Sequence, residues 1–214
     1  GTSLGAFVHT THKALEEVFR HCGVNSGSCV IDIGCGDGRA AIVAAERFKC
    51  YAVGGIDVGL ELIEKFEKKA QESILRMQQT EGLPKFFCVA GDGLKWGKQD
   101  HIFMTAEECA EIRPGSVLTS TDVDSSSHHR DVFLPKPTHI YLYILEHKLK
   151  YLVPLLKRIR SEVPGVVIIS AFKFEARDSS VVPEEGTDYL DVPEAETFLE
   201  SKGRILFRIY KQPR

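Results

Sequence analysis

One stretch constrains this chain more than any other: Val30-Ile31-Asp32-Ile33-Gly34-Cys35-Gly36-Asp37-Gly38-Arg39, followed by an apolar, helix-like run from Ala40 to Phe48. It reads as a short buried strand, a glycine turn and a helix. Glycine removes the Cβ where the backbone must bend sharply or lie against a ligand, and it tolerates φ > 0. The first amides of the helix then face the bend, with the positive end of the helix dipole behind them. Nineteen residues past Gly38, a second apolar run, Tyr51-Ala52-Val53-Gly54-Gly55-Ile56, ends in Asp57. A strand, a bare turn, a helix and an acid at the tip of the next strand make a nucleoside-binding crevice.

The spacing narrows the ligand. A dinucleotide fingerprint is G-x-G-x-x-G, whereas Gly34, Gly36 and Gly38 run G-x-G-x-G. Asp32 and Asp37 bracket the turn, which suits a ligand with a cationic amine better than a pyrophosphate. This pattern resembles the class I S-adenosylmethionine-dependent methyltransferases, whose first motif, (Asp/Glu)-x-Gly-x-Gly-x-Gly, is matched by Asp32 to Gly38 without a gap. The resemblance implies S-adenosyl-L-methionine as cofactor, with Asp32, Gly34, Cys35, Gly36 and Gly38 around its methionyl part. It implies that Asp57 accepts from both ribose hydroxyls and that Val58 packs on the adenine. The fold it implies is α/β: a Rossmann-like three-layer sandwich with a mostly parallel seven-stranded sheet and a C-terminal antiparallel hairpin.

At 214 residues, a single domain over 4–214 with a proper core is expected. A net charge of −3 gives no electrostatic reason to expect nucleic acid as a partner. Six cysteines lie scattered with no C-x-x-C pair, so they read as reduced, mostly buried small hydrophobes. No membrane-length apolar run and no secretory signal is visible, which points to an intracellular protein, cytoplasmic or mitochondrial.

Along the chain, helical spacing predicts a helix over 12–21, capped by Thr10 or Thr11. In the methyltransferases the loop before this helix often lies over the cofactor, which makes Thr10 a candidate contact. A long helix follows Asp57 over about 60–79, with Leu62, Ile63, Phe66, Ala70, Ile74 and Met77 as its apolar stripe and Glu64, Lys65, Lys68 and Lys69 on its wet side. A third strand, 86–90, ends in Gly91-Asp92-Gly93. There Asp92 can accept from the adenine amino group while the amide of Gly93 serves a ring nitrogen. From 97 to 137 the pattern degrades into an insertion holding one helix that starts with a Thr105–Glu108 capping box. Its adjacent pair, His128-His129, lacks metal-ligand spacing, and no metal site is expected.

The run 138–145 is apolar throughout, as a strand buried on both faces must be. Its end, Leu142-Tyr143-Ile144-Leu145, followed by Pro154-Leu155-Leu156 and the strand after Pro164-Gly165, is similar to the small mitochondrial-type protein-lysine methyltransferases. Phe7-Val8-His9-Thr10 shares that likeness. Where that group carries a Pro-Glu pair, this chain has Glu146-His147. The likeness implies a protein lysine as acceptor. A lysine must lose its proton before methyl transfer, which an aromatic channel favours, so Tyr143 is the candidate channel wall and Glu146 the candidate group that positions the amine or takes its proton. Nine acids and one base between Glu175 and Glu200 suggest a basic protein segment as partner. A helix is expected from Val192 to Lys202, and a final strand over 204–210. The competing readings are a small-molecule or RNA methyltransferase, against which the missing Asn/Asp-Pro-Pro-aromatic run counts, and a non-catalytic cofactor-binding scaffold.

Overall fold

The computed structural model describes residues 10–78, 82–99, 102–121, 134–144, 146–172, 196–199 and 205–211. Its centre is a run of strands too apolar to leave either face in water. These are β1 (Cys29–Ile33), β2 (Ala52–Asp57) and β3 (Lys85–Ala90), and further along β5 (His139–Leu142) and β6 (Val167–Ser170), all mutually parallel with their neighbours. Alternation along each strand divides two cores. Val30, Val53, Phe86, Cys88, Tyr141 and Ile169 face one side, and Ile31, Ile33, Ile56, Phe87, Val89, Ile140 and Ile168 the other.

The first face is covered by α1 (His12–His21), α2 (Arg39–Phe48) and α3 (Leu60–Met77). The second is covered by α4 (Gly93–Trp96), α5 (Ala106–Glu111), α6 (Glu146–Leu149) and α7 (Val153–Glu162). Residues Ala40 to Ala45 of α2 are all buried, because small side chains let this helix sit between its neighbours and the sheet. Thr11, rather than Thr10, caps α1 by accepting from the Ala14 amide at 3.2 Å. Pro154 stands in the first turn of α7, where its missing N–H costs nothing. The Thr105–Glu108 capping box starts α5 as its sequence predicts.

Two elements differ from expectation. Among the described residues the sheet has eight strands, in the order β4-β3-β2-β1-β5-β6-β8-β7. The added strand is β4 (Val117–Thr121), parallel to β3. Its Ser/Thr content reads as loop, but β-branched Val117 and Thr119 suit a half-exposed sheet edge. The second difference is the expected helix over 192–202. Residues Glu196–Leu199 instead form β7, paired antiparallel with β8 (Leu206–Tyr210) in the register Phe198↔Phe207. Pairing with β8, and stacking of Phe198 on His21 at 4.5 Å, override the helical look of Pro-Glu-Ala-Glu. His128, His129 and most of the acidic run 175–200 lie outside the described residues.

All six cysteines are unpaired and buried. Burial pushes Cys22 and Cys50 up to about 12. Among the described residues no helix is long and apolar enough to cross a membrane.

Candidate functional site

The strand order reverses between β1 and β5, since β1 continues through helix α2 to β2 on one side while β5 lies on the other. The crevice above the carboxyl ends of these strands is where open α/β sheets hold ligands. The glycine turn lies there. Gly34, Gly36 and Gly38 have φ of +78°, +54° and +77°, a region that other residues enter only at a cost. The amides of Gly34 and Cys35 donate to the Ile56 carbonyl at 2.8 and 3.2 Å, which ties the turn to the end of β2. Gly38 must be glycine for a second reason. A Cβ there would lie 1.9 Å from Cδ2 of the fully buried Phe66. The Cys35 side chain points inward against Gly55, so only its backbone can face the crevice.

Three acids surround the turn. Asp32 is buried near the end of β1, and its Oδ1 has no hydrogen-bond partner among the described residues. Burial, then the charges of Asp57 and Asp37, hold its carboxyl well above the usual carboxylate range. Asp57 ends β2; its Oδ2 accepts from the Gly36 amide and its Oδ1 from the Gly59 amide, both at 2.9 Å. Each of those oxygens retains a second lone pair. Asp37 pairs with Lys69 of α3, has Arg39 4.0 Å away, and keeps a buried Oδ1 without a partner among the described residues. Lys69, expected on the wet side of its helix, thus reaches the glycine turn instead.

The rim is apolar. Val58 beside Asp57 is 59% exposed, unusual for a valine next to a packed strand end. Asp92, two residues past β3, caps α4 through Oδ1, which accepts from the Leu94 amide at 2.9 Å. Gly93 lies over Ile33 and Ile56, where a Cβ would come within 3.2 Å of Ile33 Cγ2. Thr10 is buried and shares a hydrogen bond of 2.8 Å with the Tyr141 hydroxyl. Tyr141 pairs in register with Asp32, so Thr10 is held by the strand that flanks the acid.

On the far side of the crevice, Tyr143 follows β5 and meets the ring of Phe172 edge-on at 5.6 Å. Burial raises the Tyr143 hydroxyl above its ordinary value. Ile144 turns toward the glycine loop, within 3.3 Å of a Cβ built on Gly34. Glu146 begins α6; its side chain lies outside the described residues. The fold therefore brings Asp32, the glycine turn, Asp57, Val58, Asp92 and Gly93 along one sheet edge, with Thr10 beneath it and Tyr143 beyond. Sequence reasoning missed Lys69, Tyr141, Ile144 and Phe172. Only Phe172 carries a signal, an aromatic two residues past a buried strand.

A buried carboxylate oxygen without a partner among the described residues, beside a turn of three left-handed glycines, fits a ligand that brings a cation and hydrogen-bond donors. No family model matches the sequence, and no curated protein matches it. Solved structures do. The chain is similar to an RNA methyltransferase from Salinibacter ruber in complex with S-adenosyl-L-homocysteine, at 18% identity and a TM-score of 0.52, over 97% of this chain and 95% of that one. It is also similar to M. capricolum TrmK in complex with S-adenosyl-homocysteine, at 11% identity and a TM-score of 0.52, over 96% of this chain and 70% of that one. A variant of MtNAS in complex with S-adenosylmethionine matches at 13% identity and a TM-score of 0.52, over 93% of this chain and 60% of that one. The chain has the methyltransferase fold.

Proposed function

We propose that this protein is an S-adenosylmethionine-dependent methyltransferase. The observation that carries the proposal is the buried, unpartnered Asp32 Oδ1 beneath a turn whose three glycines all have positive φ, across from Asp57 at the switch point. In this reading Asp32 and the amides of Gly34, Cys35, Gly36 and Gly38 hold the methionyl amine and carboxylate. Asp57 accepts from the ribose hydroxyls while keeping its two backbone amides. Val58 packs on the adenine, and Asp92 Oδ2 and the Gly93 amide take its polar edge. Thr10, held by Tyr141 just before α1, is proposed as a further cofactor contact.

Bound there, S-adenosylmethionine supplies an electrophilic methyl on a sulfonium that leaves as a neutral thioether. The chain's own residues orient the acceptor, exclude water and keep the nucleophile neutral. For an amine, an apolar aromatic wall penalises the ammonium and favours loss of its proton. Tyr143 is proposed as that wall, and Glu146 as the group that positions the amine or takes its proton.

A protein lysine in a basic segment is the acceptor this site suits best, given the Tyr143–Phe172 aromatic edge and the chain's net negative charge. The second reading is RNA. Favouring it, one similar structure is an RNA methyltransferase, and that likeness weakens the expectation that nucleic acid is no partner. Calorimetric titration with S-adenosylmethionine and S-adenosylhomocysteine tests the cofactor. Incubation of methyl-labelled cofactor with cell extract, digested afterwards by protease or by nuclease, tests the acceptor. Label lost to protease supports the lysine reading, label lost to nuclease supports RNA, and binding without any label would end the claim of catalysis.

A further inference from the structure

Phe172 is absent from the sequence-based site, yet its backbone is held twice by one buried hydroxyl. It lies two residues past β6, the strand beside β5, so both strands end at the same sheet edge. Ser170, the last residue of β6, is fully buried and uses its hydroxyl twice on this one residue. Its Oγ donates to the Phe172 carbonyl at 2.7 Å and accepts from the Phe172 amide at 3.3 Å. The Ala171 amide donates to the Leu142 carbonyl at 3.0 Å, which fastens the same turn to β5. The ring then stands at 74° to that of Tyr143. Neither ring is fully buried, so this pair presents an aromatic edge rather than a closed core. Ile144, on the same segment as Tyr143, touches the glycine turn, which places the aromatic edge beside the crevice rather than remote from it.

We propose that Phe172, oriented by Ser170 and braced by Tyr143, is a specificity-determining wall of the acceptor passage. This wall selects a slender alkylamine chain, whose methylenes can lie against the ring carbons. A planar base is gripped best between two parallel ring faces, and the Tyr143–Phe172 pair, at 74°, forms no such slot. The inference rests on the methyltransferase reading and deepens it.

The test uses a nitrogen analogue of S-adenosylmethionine that carries an aminobutyl arm where the methyl would be, compared with S-adenosylhomocysteine by calorimetry. For the unaltered protein the arm should tighten binding by about tenfold or more. In Phe172→Ala that gain should fall to within about twofold, with S-adenosylhomocysteine bound as before. Phe172→Tyr should keep the gain, and Ser170→Ala should lose most of it without loss of S-adenosylhomocysteine affinity. An arm that adds equal affinity in the unaltered protein and in Phe172→Ala, or adds none in either, overturns the proposal while the methyltransferase reading stands. Failure of the unaltered protein to bind S-adenosylhomocysteine overturns both.

Discussion

Replacing Gly38 with alanine tests how the glycine turn is built. Gly38 has φ +77° and ψ +17° and forms the N-cap of α2. A Cβ would lie 1.9, 2.2 and 2.5 Å from Cδ2, Cγ and Cε2 of Phe66, which has no exposed surface into which to move. Two costs add. The left-handed backbone costs a non-glycine residue about 1–2 kcal/mol, and forcing a methyl into a filled core costs about 1–3 kcal/mol. Gly38→Ala should therefore lose about 2–5 kcal/mol of a total stability on the order of 5–15 kcal/mol. Gly34→Ala is the control. Its φ is the same within a degree, but its nearest neighbours are Ile144 side-chain carbons at 3.3 Å, so it should lose only the backbone share, about 1–2 kcal/mol. Urea unfolding of both variants, with unchanged slope, measures the difference. Phe66→Leu in the Gly38→Ala background should restore part of the loss, with a coupling on the order of 0.5–3 kcal/mol. Equal losses at the two glycines, with no coupling to Phe66, would refute the steric argument.

Asp32→Asn should stabilise the ligand-free protein at neutral pH while weakening S-adenosylmethionine binding. A raised folded-state pKa favours the neutral acid, so Asp32 is harmless below its unfolded value near about pH 4 and costs stability as pH rises through the folded value. Melting curves of both proteins should accordingly converge in acid and separate toward pH 7. Lys69→Met removes the partner of Asp37 and should weaken cofactor binding several-fold in titration, with a stability change under about 1 kcal/mol because Lys69 is partly exposed. Tyr141→Phe leaves the buried Thr10 hydroxyl without its partner and should cost about 1–3 kcal/mol in denaturant unfolding. Adding Thr10→Val should recover most of that loss, since neither group is then stranded.

The sheet centre and the edge that carries the glycine turn and its acids were legible because their signals are local. Asp32 to Gly38 are contiguous, and each acid or rim residue sits at or just past the end of an apolar run. Helix α1 has the bounds its periodicity predicts, and α3 ends within two residues of its predicted end. What was not legible depends on distant partners. Strand β4 is decided by pairing with β3 thirty-one positions earlier, and β7 by pairing with β8. Lys69 reads as surface because its helix face is otherwise wet; only the fold brings Asp37 within reach. The orientation of Phe172 depends on a serine hydroxyl two residues earlier that bonds backbone rather than a ligand.

The most direct test of the account is a crystal structure of the protein soaked in S-adenosylhomocysteine. The account predicts both ribose hydroxyls within about 2.5–3.0 Å of the Asp57 carboxylate, with the ligand's ammonium against Asp32 Oδ1. A structure in which Asp57 meets only the Gly36 and Gly59 amides, and the sugar lies elsewhere, would contradict it.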